Sequence, residues 1–282
     1  NLFITITKSL ACADRVAAVM QLDSGAHGGN KLPANGSPCG SVEFKNVSFE
    51  YKNAGAEALF DISFFAKPGQ TVGIIGGTGS GKSTLVNLVP NFYSATKGQV
   101  LIDGINVRDV TIASLRRSVA MVSQETYIFM GSVAQNIAYA RPDASDEEIV
   151  AAAKAASAHE FIMRMPEGYN TLIGASGRSL SGGERQRISI ARAILADPKI
   201  LILDEATASV DTETERSIQD AIDRLVVGRT TISIAHRLST LRAADRLIVI
   251  ENGEVAESGT HAELARAKGV YFRLLQLQSK AL

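Results

Sequence analysis

The stretch Gly76-Gly77-Thr78-Gly79-Ser80-Gly81-Lys82-Ser83 restricts this chain more than any other. It fits GxxxxGK[ST], in which glycines let the backbone turn tightly enough for successive N–H groups to point inward at a phosphate. Lys82 adds a mobile positive charge suited to β- and γ-phosphates, and the Ser83 hydroxyl suits Mg²⁺. The context agrees. Apolar residues 71–75 lead in as a strand, and residues 82–89 lead out as a helix whose N-terminal dipole favours anions. A glycine-rich turn without a ligand would not need both neighbours.

The surrounding sequence has the rhythm of an α/β domain. Residues 41–51 and 59–65 read as paired strands, and short apolar runs at 71–75, 99–102, 200–203 and 230–235 alternate with helical stretches. That order predicts a largely parallel sheet. Residues 246–250 and 254–257 flank Asn252-Gly253, a pair suited to a primed hairpin turn. From about 125 to 180 the chain becomes alanine-rich with helical period, which predicts a helical insertion. Ser145-Asp146-Glu147-Glu148 and Thr260-His261-Ala262-Glu263 are capping boxes that open helices. Residues 23–40 hold five glycines and two prolines and read as a linker. The folded body is therefore expected at 41–282, after an N-terminal helix at 1–22.

Composition narrows the function classes. Twenty-nine Lys and Arg balance twenty-nine Asp and Glu, which argues against a surface built wholly for nucleic acid or anionic lipid. No apolar run approaches the roughly 18 residues of a membrane span. Cys12 and Cys39 have no CxxC spacing, so neither a disulfide framework nor a zinc site is indicated, and a reduced, cytoplasmic compartment is the default. A signal peptide is a poor reading of residues 1–20, which lack a basic start and whose apolar run is broken by Lys8, Asp14 and Arg15. With Asn1 in first place, the chain reads as a piece of something longer.

A second element points to the same chemistry. Ile200-Leu201-Ile202-Leu203 runs into Asp204-Glu205, placing carboxylates at the C-terminal edge of a sheet, where open α/β folds bind ligands. Asp204 suits the Mg²⁺ shell, and Glu205 is placed to polarise a water for attack on the γ-phosphate. About twenty residues earlier, Leu180-Ser181-Gly182-Gly183-Glu184-Arg185-Gln186-Arg187 resembles the LSGGQ-type signature of ATP-binding cassette (ABC) proteins. Ser181 can cap a helix with Glu184 reaching back, so that a glycine-bearing helix end faces outward.

The resemblance covers residues 41–282 and is nearest to the nucleotide-binding domains of ABC exporters. Phe129, Gly131, Ser132, Gln135, Asn136 and Ile137 are similar to the exporter pattern, and residues 1–23, with Ala13-Asp14-Arg15-Val16, resemble the cytoplasmic end of the last exporter membrane helix. It implies a P-loop NTPase of the α/β class: an ABC ATPase core with a mainly parallel sheet, an antiparallel β subdomain and a helical subdomain. It further implies ATP and Mg²⁺ as ligands and ATP hydrolysis that powers export. In the family's pattern Tyr51 stacks its ring face on adenine, and Gln124 links Mg²⁺ to the helical insertion. Ser209-Val210-Asp211 resembles the D-loop, and His236 matches the switch histidine at the γ-phosphate. His27, His159 and His261 match no motif and read as surface or capping residues.

The implied partners are a second nucleotide-binding domain and a transmembrane domain, at the cytoplasmic face of a membrane, with no nucleic acid. The two nucleotide-binding domains pair head to tail. Residues 76–84, including Thr84, and Tyr51 come from one subunit, and Ser181, Gly182, Gly183 and Glu184 from the other. Two departures stand out. Gly77 occupies a position that is often proline in exporters, and Gly174-Ala175-Ser176-Gly177 lacks the glutamate usual between those glycines, in a loop that touches the membrane domain. Two alternatives remain. A soluble ABC ATPase of DNA repair, chromosome architecture or translation usually carries coiled coils or tandem cassettes, absent here. An ATP-sensing module without turnover is disfavoured by Glu205 and His236.

Overall fold

Period-two burial along the strands divides the molecule into layers. The computed structural model describes residues 2–21, 29, 39–52, 54–123, 125–174, 179–204, 212–234, 241 and 243–279. Helix α1 (Leu2–Met20) comes first, and every one of its described side chains is exposed. Strands β1 (Val42–Glu50) and β2 (Glu57–Ala66) pair antiparallel, with Phe44 opposite Phe64 and their rings stacked at 4.6 Å. Next come β3 (Thr71–Gly76), α2 (Lys82–Leu88), β4 (Lys97–Ile102) and β5 (Ile105–Asn106). Strand β4 pairs with β1, giving an antiparallel sheet in the order β2-β1-β4-β5. The run 99–102 thus belongs to this sheet and not to the parallel one, because β4 pairs antiparallel with β1, Val100 opposite Phe44 and Ile102 opposite Val42.

The chain continues through α3 (Ile112–Ser118) and β6 (Val119–Val122). Inserted there are β7 (Gly131–Ser132), α4 (Val133–Ile137), α5 (Asp146–Ala155), α6 (His159–Met163) and β8 (Leu172–Ile173). Helix α7 (Gly182–Ala196) leads to β9 (Ile200–Asp204), and α8 (Thr212–Val226) to β10 (Thr230–Ile234). A hairpin of β11 (Arg246–Glu251) and β12 (Glu254–Gly259) precedes α9 (His261–Ala267) and α10 (Val270–Ser279). The second sheet has the order β12-β11-β3-β10-β9-β6, parallel throughout except for β12.

This sheet is covered on both faces, as parallel sheets require. Ile200 and Ile202 of β9 point into the core shared with β1, β2 and α2, whereas Leu201 and Leu203 join the core under α5, α7 and α8. Truncating any of the four to alanine would cost about 2–5 kcal/mol. A third cluster gathers Leu247, Val249 and Leu264 around the fully buried Tyr271. Strand β6 escapes the sequence reading because it is only four residues long, with Val119 and Val122 buried and the two between them half-buried.

The hairpin turn has φ of 53° at Asn252 and 80° at Gly253, as a primed turn demands. Ser145, Ser181 and Thr260 all form the predicted reciprocal caps. The two described histidines each meet a tyrosine hydroxyl ten residues on: His159 Nδ1 lies 2.9 Å from Tyr169, and His261 Nδ1 lies 2.5 Å from Tyr271. His27 lies outside the described residues.

Candidate nucleotide site

The cradle grows from the C-terminal end of β3, where β11 and the loop's own Ser80 leave no room beside Gly76. A Cβ there would stand 2.3 Å from the Ile250 carbonyl oxygen and 2.5 Å from Ser80 Oγ. At the other end Gly81 caps α2 with φ 101°, where a side chain would also meet Leu59 Cδ2 at 2.7 Å and the Ala58 oxygen at 2.8 Å. No described residue lies within 4 Å of a Cβ built on Gly77, so a small side chain there meets no steric bar. Gly77, Thr78, Gly79 and Ser83 are exposed, while Ser80, Lys82 and Thr84 are buried.

Three observations make this loop suited to an anion. Lys82 folds back across it, with Nζ donating to the oxygens of Gly76 at 3.0 Å and Gly77 at 2.8 Å. Among the described residues no side-chain cap hydrogen bond is made at Gly81, the N-cap of α2, where orphan amides begin. Among the described residues Ser80 Oγ is buried with no hydrogen-bond partner, a costly arrangement that a phosphate oxygen would relieve.

Tyr51 stands beside the cradle, edge-on to Phe49 at 4.8 Å and to Tyr93 at 5.3 Å. Its hydroxyl lies 2.9 Å from Thr84 Oγ1. The sequence reading gave a role only to the ring face; the hydroxyl is also engaged, tying the aromatic group to α2. Tyr93, half exposed and part of the same group, was not singled out from sequence, although Phe92-Tyr93 just beyond α2 was a visible signal.

Strand register brings the remaining chemistry to one edge. Val122 of β6 pairs with Leu203, Asp204 with Ile234 of β10, and Ile234 with Ile74 of β3. Asp204 therefore ends its strand in the row from which the cradle departs. Gln124, Glu205 and His236 follow the ends of these strands in the chain but lie outside the described residues, as do Ser209, Val210, Asp211, Ala175 and Ser176. Ser83 and Asp204 supply the hard oxygen donors that Mg²⁺ prefers alongside substrate phosphates.

The signature segment opens α7. Ser181 Oγ accepts from the Glu184 amide at 3.3 Å, and Glu184 Oε2 accepts from the Ser181 amide at 2.8 Å. Ser181 and Gly182 are exposed, and no described residue lies within 4 Å of a Cβ built on Gly182, so a ligand or partner can approach the helix end closely. Gly183 is buried. Arg187 packs inward over the Phe161 ring at 4.7 Å and donates to the oxygens of Gly183 and Ser157, both at 3.2 Å.

Residues 127–139, which include the exporter-like Phe129, Gly131, Ser132, Gln135, Asn136 and Ile137, form a ledge on the helical insertion. Asn136 is 1% exposed and staples it: its amide donates to the oxygens of Phe129 at 2.9 Å and Ser132 at 3.1 Å, and accepts from the Phe129 N–H at 2.9 Å. Phe129 and Tyr139 stack at 4.1 Å yet remain 40% and 57% exposed, beside the more exposed Tyr127, Met130 and Leu172.

Known proteins share this arrangement. Residues 59–208 match the family described as ABC transporter. The chain is 47% identical over 280 residues to an ATP-dependent lipid A-core flippase of Syntrophus aciditrophicus, covering 99% of this chain and 46% of that protein. It is 48% identical over 280 residues to the putative multidrug export ATP-binding/permease protein YgaD of Bacillus subtilis, again 99% of this chain and 48% of the relative. A solved bacterial Atm1-family ABC exporter with ATP bound superposes with a TM-score of 0.86 at 40% identity, over 98% of this chain and 48% of the other. The chain thus spans about half the length of the relatives it matches. Sequence, site and superposition agree: the chain belongs to the ABC transporter family.

Proposed function

We propose that this chain is the nucleotide-binding domain of an ABC exporter, binding MgATP in the cradle and hydrolysing it to power transport. The observation that carries the reading is the cradle itself, where Lys82 folds across the loop and the buried Ser80 hydroxyl has no hydrogen-bond partner among the described residues. Residues 76–84 bind the phosphates, and the Tyr51 ring takes the base. Ser83, Gln124 and Asp204 would hold Mg²⁺, which when bound supplies charge neutralisation at the phosphates. Glu205 accepts the proton of the attacking water, and His236 orients the water and γ-phosphate.

A second copy, or a related domain, completes each site by presenting its own Ser181–Glu184 segment. The ledge at 127–139 docks a membrane-spanning domain, with α1 as the continuation of that domain's last helix and 23–40 as the linker. In this reading the assembly works at the cytoplasmic face of a membrane. Among the described residues no helix is long and apolar enough to cross a membrane. The exporter reading is preferred to a soluble ATPase because the matched relatives are named as a flippase and an export protein.

The test is MgATP turnover by the purified chain. Lys82→Ala should abolish both nucleotide binding and turnover. Glu205→Gln should keep binding and lower turnover by about 100-fold or more, the scale of a lost general base. A Lys82→Ala protein that binds MgATP normally in calorimetry would overturn the assignment.

A further inference from the structure

Five residues beyond the signature, α7 carries an arginine that no part of the nucleotide chemistry uses. We propose that Arg192 is a positioning residue that fixes the aromatic ledge to the signature helix, so that the ledge and the Ser181–Glu184 end move as one body. This rests on the nucleotide-binding reading above and adds to it a specific mechanical joint.

The guanidinium fans out over the ledge. Nε donates to the Asn136 backbone oxygen at 2.9 Å, Nη2 to Asn136 Oδ1 at 3.3 Å, and Nη1 to the Tyr127 oxygen at 3.4 Å. Its carbon lies 5.4 Å from the Phe129 ring centre and 5.7 Å from that of Tyr139. One side chain therefore touches both stacked rings and both ends of the loop that carries them. Asn136, which staples that loop to itself, is the residue Arg192 grips twice.

The energetics argue for a purpose beyond filling space. Burial pulls the Arg192 guanidinium below its ordinary pKa, so holding the charge here is unfavourable. Among the described residues no carboxylate pairs with it; carbonyl oxygens and ring faces take that place. Leucine or methionine would fill the position without that cost, but neither could hold three separate acceptors in a fixed fan. The other end of the lever is equally firm. From the Ser181 cap to Arg192, α7 is one unbroken helix about 16 Å long at 1.5 Å per residue. Pressure on the exposed faces of Phe129 and Tyr139 thus reaches Arg192 directly and, through α7, the end that meets ATP.

Hydrogen exchange on the whole chain tests this, in a Glu205→Gln background that holds ATP unhydrolysed. MgATP should slow exchange at the cradle, at 181–184 and, with them, at 127–139. In Arg192→Lys, which keeps the charge but offers a single point donor, the first two regions should still respond. Slowing at 127–139 should fall by about fivefold, the lower end of measured couplings between sites, with the affinity for MgATP unchanged. Tyr139→Leu, at an exposed position that cannot unfold the domain, should give a partial loss. Undiminished slowing of 127–139 in both variants would overturn the joint, as would a wild-type ledge that ignores MgATP while 181–184 responds. Silence at the cradle itself would remove the nucleotide reading first, and the joint with it.

Discussion

The hydroxyl-to-hydroxyl contact between Tyr51 and Thr84 offers a sharp test of how the aromatic group is held against α2. At 2.9 Å and half-buried, this bond should contribute about 1 kcal/mol without nucleotide, the usual net value for a neutral pair. Tyr51→Phe removes it while leaving the edge contacts with Phe49 and Tyr93 intact. Thr84→Val removes it from the other side with little change of shape. Each single change should lower the melting temperature by roughly 2–4 °C, as expected for a chain of this size. The double variant should be no worse than either, giving a coupling of about 0.5–1.5 kcal/mol in urea unfolding. Tyr51→Ala also loses ring contacts at 4.8 and 5.3 Å, each worth about 0.5–1.5 kcal/mol, and should cost about 2–4 kcal/mol in all. Repeating the cycle with saturating MgATP should drive the coupling toward zero, because Thr84 then turns to the nucleotide. A cycle that closes additively without nucleotide would refute the bond.

What could be read from the sequence is what is local in the chain. The cradle, the three capping boxes and the Asn252-Gly253 turn each need residues within eight positions of one another, so spacing alone encodes them. Which cradle glycines are required came only with the fold: Gly76 and Gly81 are crowded by Ile250 and by Leu59 and Ala58, whereas Gly77 is not. Contacts between distant residues left no such trace. Thr84 lies 33 residues from Tyr51, and Arg192 lies 56 from Asn136, so neither pairing could be inferred without the fold. Strand β6 was lost because four residues with two half-buried positions carry no readable period. Run 99–102 was assigned to the wrong sheet because an apolar strand does not announce its partner: Val100 and Ile102 would suit either sheet equally.

Four further outcomes follow from the geometry. Gly81→Ala should cost at least about 1–2 kcal/mol from its left-handed φ alone, more from the Ala58 oxygen, and should weaken MgATP binding; Gly77→Ala, in open space, should stay within about 0.5 kcal/mol of wild type in thermal unfolding. Ser181→Ala removes one half of the α7 cap and should cost about 1 kcal/mol in urea unfolding, with no effect if the cap is replaced by water. Glu148 has its carboxyl held below the ordinary value, first by Arg141 and then by the Ser145 amide. Its contribution is therefore present above the ordinary carboxylate pKa and lost as pH falls through the lowered one, and Glu148→Gln should flatten that acid-side slope in melting temperature. The last outcome concerns Asn136 and Arg192 together. Asn136→Ala leaves the Phe129 N–H and two carbonyl oxygens without their partner, and should cost about 3 kcal/mol. Arg192→Met loses the bonds to Asn136 and Tyr127 but fills the space, and should cost less. Because the Nη2 bond to Asn136 Oδ1 is lost in either variant, and the ledge is already loosened by the first, the double variant should fall short of the sum by about 1–2 kcal/mol. Strict additivity would mean that Arg192 and Asn136 hold the ledge independently, and the single joint between ledge and signature helix would have to be abandoned.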